Sequence, residues 1–484
     1  MAAGLLPVYL STLAPGLTWA NNSADGGDFI AAAASLGIAH PTGYPTYLLL
    51  ARLAQTVLGG PLAWRTNLLS ALCAALAAGL VAPLVHQAYA GRSRFGLAGG
   101  VLAAVAFGLS PLLWSQAIVT EVYTLHALFV ALILSTLPLG PTAPGGEGTP
   151  WRDRLAGLVF GLALGNHVTT ALLLPPWLVI STWAGGRLRL GPSLNRLGGL
   201  AAGLLVYAYL PLRAVAEPPV NWGGASNLAG LWWVISGLPY RDMAFALPNE
   251  FLLDRVQGWA GLVLTQFGWL GMVTAAFGLF FGAARGPRVR AVTGWVLFIF
   301  SVFAIGYNTA DSHAYLIPAF LALAVWLGLG AATALESLPV AAARRRWLRP
   351  ALAGVLGASV LVNAAHQLPT VDASQDTAAE TFGRTVMARA PADALVFTHA
   401  DKDTFVLWYF HLALGERPDM AVIVEPLLDH AWYRVNLAHN YPGLVLPASA
   451  ETGAWRAALE AGNQRPVCDA LPEAPEAVEC GAGR

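Results

Sequence analysis

Apolar residues run along this chain in long blocks, not in alternation. Stretches near 3–19, 66–88, 95–113, 121–138, 155–171, 173–185, 197–212, 259–282, 291–307, 313–335 and 350–364 are almost unbroken hydrophobic sequence. A helix of about 20 such residues spans a bilayer core. The pattern therefore predicts an α-helical polytopic membrane protein with about eleven transmembrane helices. Pro175 and Pro176 interrupt the sixth block. A short span broken by proline is tolerated where neighbouring helices or a polar cavity satisfy the freed carbonyls. The first block carries no basic leader and reads as a retained membrane helix.

Near residue 366 the pattern changes. Thr377–Ala388 has a polar helical pattern. Ala394–Phe397 and Met420–Val424 are short apolar runs typical of strands. We expect two parts: a membrane domain over 1–365 and a small α/β domain over 366–484.

Composition agrees. Of 484 residues, 56% are hydrophobic and 11% charged, with mean hydropathy +0.57. A soluble domain carries about 25% charge. The formal net charge is +0, so nothing marks a nucleic-acid partner. The 17 tryptophans suit a membrane interface.

Arginine placement orients the spans. Arg92 and Arg94 follow the second, and Arg152 and Arg154 the fourth. Arg187, Arg189 and Arg196 follow the sixth, and Arg285, Arg288 and Arg290 the eighth. Arg344, Arg345, Arg346 and Arg349 follow the tenth. The positive-inside rule makes that side cytoplasmic. The N-terminus is then cytoplasmic. The first loop (20–65), the 213–258 loop and the C-terminal domain lie outside, in the periplasm of a bacterial inner membrane. This order requires Tyr44–Gly59 to lie at the outer interface as a Pro45-led helix instead of crossing. Cys73 sits in an apolar block. Cys468 and Cys480 can pair if the tail lies outside the reducing cytoplasm.

Polar groups at outer-face helix ends are costly in lipid unless paired, hydrated or used. Asp25 and Asp28 flank Gly26-Gly27 and can turn toward one cavity as catalytic acids; alternatively, Asp28 caps a helix beginning at Phe29. His40 and Tyr44 open a proline-rich corner that can present donors to a phosphate or sugar. Asn166 and His167 end the fifth span. Arg213 ends the seventh, as a phosphate clamp or a snorkelling anchor. Glu121 and Tyr123 precede the fourth span, where Glu121 also suits a helix N-terminus. Trp222 and Tyr240 lie in the long loop and suit a sugar pocket. Tyr307 ends the ninth span, followed by Asp311 and His313. A divalent metal could draw on Asp28, Asp311 and His313, although no ligand-spacing motif supports it. Asp401, Lys402 and Asp403 follow the first strand of the tail, with helix capping as the plain explanation. No phosphate-binding loop or dinucleotide fingerprint is present.

The blocks Asp25-Gly26-Gly27-Asp28, His40-Pro41-Thr42-Gly43-Tyr44-Pro45, Ser115-Gln116, Thr120-Glu121-Val122-Tyr123, Gly165-Asn166-His167, Tyr209–Arg213, Trp222-Gly223 and Tyr307-Asn308 with Asp311 carry a resemblance. Taken together, they resemble the TMEM260-like protein O-mannosyltransferase family, also described as DUF2723, over roughly residues 1–330. The family's usual first loop has Glu at the position of Asp28 and Pro at that of Thr42. The resemblance implies the GT-C fold, a polyprenyl-phosphate-linked sugar as donor, and an acid in the first outer loop. Related bacterial aminoarabinose transferases have a Pro-led interfacial helix and a following Arg, here Pro45 and Arg65.

The expected function is inverting transfer of a sugar, mannose by resemblance, to a hydroxyl of a protein, glycan or lipid acceptor outside the membrane. Asp25 or Asp28 is the expected base, and Arg213 steadies the leaving phosphate, with His40, Tyr44, Asn166, His167, Asp311 and His313 around the donor. A transporter is the alternative; it would show inverted repeats, and none is evident.

Overall fold

The computed structural model describes residues 2–89, 94–139, 149–184, 187–188, 190–282, 287–338, 347–474 and 476–481. Arg92, Arg189, Arg285, Arg344, Arg345 and Arg346 lie outside the described residues, as does the side chain of Arg187.

Every apolar block contributes a helix. The first half runs α1 (Ala2–Thr12), α2 (Gly26–Ser35), α3 (Pro45–Val57), α4 (Leu62–Ala88), α5 (Arg94–Gly108), α6 (Pro111–Ala117), α7 (Tyr123–Ser135), α8 (Pro150–Leu164) and α9 (Leu174–Thr182). A short antiparallel ribbon follows, β1 (Trp183–Ala184) with β2 (Arg187–Leu188). Then come α10 (Leu190–Leu204), α11 (Tyr209–Ala214), α12 (Leu228–Ile235), α13 (Leu252–Phe280), α14 (Pro287–Gly306), α15 (Ile317–Ser337) and α16 (Leu348–Val371).

Fewer of these helices have the length of a full crossing than there are apolar blocks. Among the described residues, 6 helices are long and apolar enough to cross a membrane, or 7 with α5 and α6 joined across their 61° bend. The blocks at 3–19, 121–138, 155–171 and 173–185 form shorter helices. Pro15 and Gly16 end the first block early, and α1, of 11 residues, rises only about 17 Å. Side chains meet the carbonyls these breaks release. Asn67 Nδ2 donates to Ala14 O at 3.0 Å and Gly16 O at 2.9 Å. At the end of α8, Thr46 Oγ1 donates to Leu162 O at 2.8 Å and Tyr207 Oη to Leu164 O at 2.7 Å. Broken helices persist at membrane depth only with such partners.

Helix α15 is the axis of the bundle. It is buried along nearly its whole length and packs against α5, α13 and α14. Helices α8 and α10 cross so closely that a Cβ on Gly157 would run into the carbonyl oxygen of Arg196. Helix α3 has 13 residues and is not among the helices long enough to cross.

The tail is α/β. Helix α17 (Ala378–Arg389) precedes β3 (Leu395–Thr398), α18 (Asp401–Trp408), β4 (Ala421–Val424), α19 (Ala431–Asn440), α20 (Trp455–Gly462), β5 (Val467–Ala470) and β6 (Val478–Gly481). The sheet order is β4-β3-β5-β6, with β3 parallel to both neighbours and β6 antiparallel to β5. The two apolar runs read as strands are β3 and β4, buried at every position. Strands β5 and β6 gave no such signal, because both alternate with polar residues. Cys468 and Cys480 face each other across them and form a disulfide.

Candidate active site

The site grows from the first turn of α2. That helix begins at Gly26, so Asp28 lies inside its first turn and does not cap it. The early start depends on tight packing: a Cβ on Gly27 would run into the carbonyl oxygen of Phe405 in α18. Asp28 is thereby sealed, with 0% side-chain exposure. Such a buried carboxylate needs donors, and three reach it. His40 N donates to Oδ2 at 2.9 Å, and His40 Nδ1 lies 2.7 Å from the same oxygen. Trp222 Nε1 donates to Oδ1 at 3.2 Å. The loop holding Trp222 is pinned beside α2 by Ile38 N donating to Val220 O at 2.8 Å and Trp222 N to Ile38 O at 3.3 Å.

His40 links the two acids. Its Nε2 lies 3.6 Å from Asp25 Oδ2, opposite the nitrogen that faces Asp28. Phe29 and Tyr44 hold the imidazole at ring distances of 5.1 and 5.2 Å, and Phe405 stacks on it at 6.1 Å. Asp25 differs from Asp28, because its side chain keeps 34% exposure. Partial burial, with help from Asp401, Asp311 and Asp28, raises its pKa to about 6 against the opposing pull of His40. Burial pushes the His40 imidazolium down, but Asp25 and Asp28 outweigh it and lift the pKa to about 9. Near neutral pH Asp25 is therefore a carboxylate and His40 an imidazolium.

Asp25 opens into a cavity of about 560 Å³. The cavity gathers sequence-predicted residues from four distant segments: Asp25, His40 and Tyr44 from the first loop, Tyr123 from α7, Tyr240 from the long loop, and Tyr307 with Asp311 after α14. Tyr315 joins them. The tail adds Asp401, Lys402 and Phe405. Asp401 lies close enough to the other acids for burial and their charges to raise its pKa.

Other predicted residues lie elsewhere. Arg213 does not line this cavity: its Nε donates to Leu36 O at 2.6 Å and its Nη2 to Ser35 O at 3.4 Å, closing the C-terminal end of α2. Carbonyls exposed where α2 turns at Leu36 explain that choice. Asn166 donates from Nδ2 to Val122 O at 3.3 Å. His167 sits behind the tyrosines, 5.7 Å from the Tyr123 ring and 5.6 Å from that of Tyr315, with Nδ1 2.7 Å from Thr169 Oγ1. Glu121 is buried beside α4, where its N donates to Ser70 Oγ at 3.4 Å. Trp222 supports Asp28 from outside the cavity.

His313 lines an adjoining cavity of about 390 Å³ that shares Ala310 with the first. Its walls are largely apolar, including Phe251, Trp259 and Leu262. Arg255 stands at the junction, donating from Nη1 to Thr309 O at 3.2 Å and to Ser312 Oγ.

The metal expectation does not match this geometry. Asp28, Asp311 and His313 are not gathered: the first is sealed, the second faces the main cavity and the third faces the adjoining one. Among the described residues, the group spaced for a metal is His399, Glu425 and Asp469, at strand ends in the tail. Arg456 occupies it, with Nη1 2.8 Å from both carboxylates. A guanidinium between the ligands leaves the carboxylates paired without a metal ion.

Sequence reasoning marked the strand-end run Asp401-Lys402-Asp403 without assigning it to the site. The only signal was its position after a buried strand. Arg255 gave no signal of its own.

Two family models match this chain. The N-terminal domain of protein O-mannosyl-transferase TMEM260 covers residues 25–187, and TMEM260-associated domain 2 covers 379–456. The mouse protein O-mannosyl-transferase TMEM260 is 27% identical over 87% of this chain and 62% of its own length. The Dictyostelium discoideum protein of the same name is 20% identical over 88% and 57%. The chain thus spans about three fifths of the curated relatives it matches. Among solved structures, ArnT from Cupriavidus metallidurans bound to undecaprenyl phosphate superposes with a TM-score of 0.59 at 14% identity, over 97% of this chain and 91% of that one. Its apo form gives 0.56 at 13%. These two likenesses speak to fold alone, and they agree with the helical bundle and tail described above. Both models and both relatives make the chain similar to the TMEM260-like family, and its fold is the GT-C fold.

Proposed function

We propose that this chain is a membrane glycosyltransferase that moves mannose from a polyprenyl phosphate to a hydroxyl of a protein, outside the cytoplasm and with inversion. The observation that carries the reading is the contrast between the two acids. Asp28 spends both oxygens on His40 and Trp222, whereas Asp25 faces the cavity with a raised pKa. Asp25 is therefore the base and Asp28 the group that fixes His40. A base is most effective when its pKa lies near the working pH.

In the step, the acceptor hydroxyl oxygen bonds to the anomeric carbon and its proton passes to Asp25. The bond from that carbon to the phosphate oxygen breaks, and its electron pair stays on the phosphate. The products are a mannosylated side chain and polyprenyl phosphate. Tyrosines around the cavity suit a sugar, offering hydroxyl donors and ring faces. The adjoining apolar cavity suits the first isoprenes of the carrier. ArnT binds undecaprenyl phosphate, and the same lipid class is the donor proposed here. Mannose and the protein acceptor come from the names of the relatives.

Two features favour the outer face. The Cys468–Cys480 disulfide belongs in an oxidising compartment. Arg94, Arg152, Arg154, Arg288, Arg290 and Arg349 cluster at the starts of α5, α8, α14 and α16, away in sequence from the loops that line the cavity. The short α3 suits an interfacial position.

The test uses the full chain in detergent with decaprenyl-phosphomannose and a Ser/Thr-containing peptide. Mass analysis should show a peptide gaining one hexose, in the α configuration if the donor is β-linked. Transfer only from a nucleotide sugar, or none from any polyprenyl-phosphate sugar, would overturn the proposal.

A further inference from the structure

We propose that the tail completes the active site, with Lys402 as the cation that meets the donor's phosphate. This rests on the lipid-phosphate reading above and goes beyond it by assigning a catalytic role to the C-terminal part. Three carboxyl groups face the main cavity, from Asp25, Asp311 and Asp401. A phosphate entering beside them needs positive charge. Among the described lining residues, the lysine and arginine charge comes from Lys402 alone; His40 is the other basic group and is held between Asp25 and Asp28. Arg213, the cation that the sequence suggested, is turned away toward α2.

Lys402 is fixed at its backbone and only loosely paired at its tip. Trp19 Nε1 donates to Lys402 O at 3.2 Å. Asp403 holds the start of α18 by accepting from His399 N at 2.7 Å and Ala400 N at 2.9 Å. The ammonium rests 4.5 Å from the Trp19 ring centre and 2.9 Å from Glu473 Oε1. The Glu473 side chain is 87% exposed. Such a pairing contributes little and exchanges readily, so an incoming phosphate can displace Glu473. As the bond to the anomeric carbon breaks, the phosphate gains a second negative charge. The attraction to Lys402 therefore grows along the reaction, and it accelerates the step instead of only tightening binding.

The experiment compares wild type, Lys402→Gln, Lys402→Arg and Glu473→Gln, each as the full chain in nanodiscs. Affinity is measured for decaprenyl phosphate and for decaprenol, and turnover with decaprenyl-phosphomannose. Lys402→Gln should lower kcat about 100-fold and weaken decaprenyl phosphate several-fold while leaving decaprenol unchanged. Lys402→Arg should restore most of both. Glu473→Gln should bind the phosphate up to about 5-fold tighter. Wild-type kcat and phosphate affinity in Lys402→Gln would overturn the assignment, as would equal impairment in the Gln and Arg variants, which marks a packing role. If the wild type itself does not prefer decaprenyl phosphate to decaprenol, the lipid-phosphate reading fails, and this inference with it.

Discussion

Replacing Asp25 and Asp28 separately by Asn should produce opposite phenotypes, although the residues are three apart. Asp28→Asn keeps the shape of a sealed side chain and removes its charge. The new amide can keep an oxygen toward His40, but its NH2 then faces Trp222 Nε1–H, donor against donor. Turned the other way, it faces both His40 donors. In the better orientation the charge-assisted contact to His40 is lost, worth about 1.5–3 kcal/mol, and one buried N–H is left unpaired, costing about 1–3 kcal/mol. The total is roughly 2.5–6 kcal/mol, a range that brackets the cost of about 3–5 kcal/mol for breaking a buried ion pair. Asp25→Asn removes a group whose charged form partial burial already disfavours. Its stability should stay within about 1 kcal/mol of wild type. Loss of the base should still cost about 10²–10⁴-fold in kcat. The assay pairs thermal unfolding of the detergent-solubilised chain with mannosyl transfer measured well below the melting temperature. A wild-type melting temperature in Asp28→Asn, or substantial transfer by Asp25→Asn, would refute the division of roles.

Transfer should rise with pH through about 6, as Asp25 ionises; a rate independent of pH between 5 and 7.5 would contradict its role as base. The raised pKa of His40 has its own sign: the stabilisation of the imidazolium is present below about 6.5 and fades as pH climbs toward 9, so thermal stability should decline over that interval. Arg213→Ala should destabilise by about 1–3 kcal/mol through the released carbonyls of α2 yet change kcat less than 10-fold, because the guanidinium is not in the cavity; a loss matching Asp25→Asn would restore it as a phosphate clamp. Gly27→Ala should force α18 away from α2, and activity should drop in parallel with protection of residues 401–408 from hydrogen exchange.

Much of this molecule was legible along the chain. Bilayer-length apolar blocks determine helices, because lipid leaves backbone polar groups no other partner. Blocks without breakers, such as the one that became α4, translated directly into long helices. Cavity residues near functional-looking turns, Asp25, His40, Tyr44, Tyr240 and Asp311, stood out because polar groups at helix ends in lipid need a reason. Blocks at 3–19 and 155–171 became shorter, broken helices. Their outcome depends on whether a distant side chain, Asn67 or Thr46, is there to take the freed carbonyls.

Composition and pattern settled the class of the protein and the presence of acids in the first loop. Tertiary structure decided which acid is sealed and which is open. It also turned Arg213 toward a helix end and brought Lys402 some 380 residues along the chain to the side of Asp25. The physical reason is one of range. Hydrophobicity acts on each segment by its own length, so it can be read locally. Charge solvation depends on which donors surround a group in space, and those arrive from segments that the sequence does not connect.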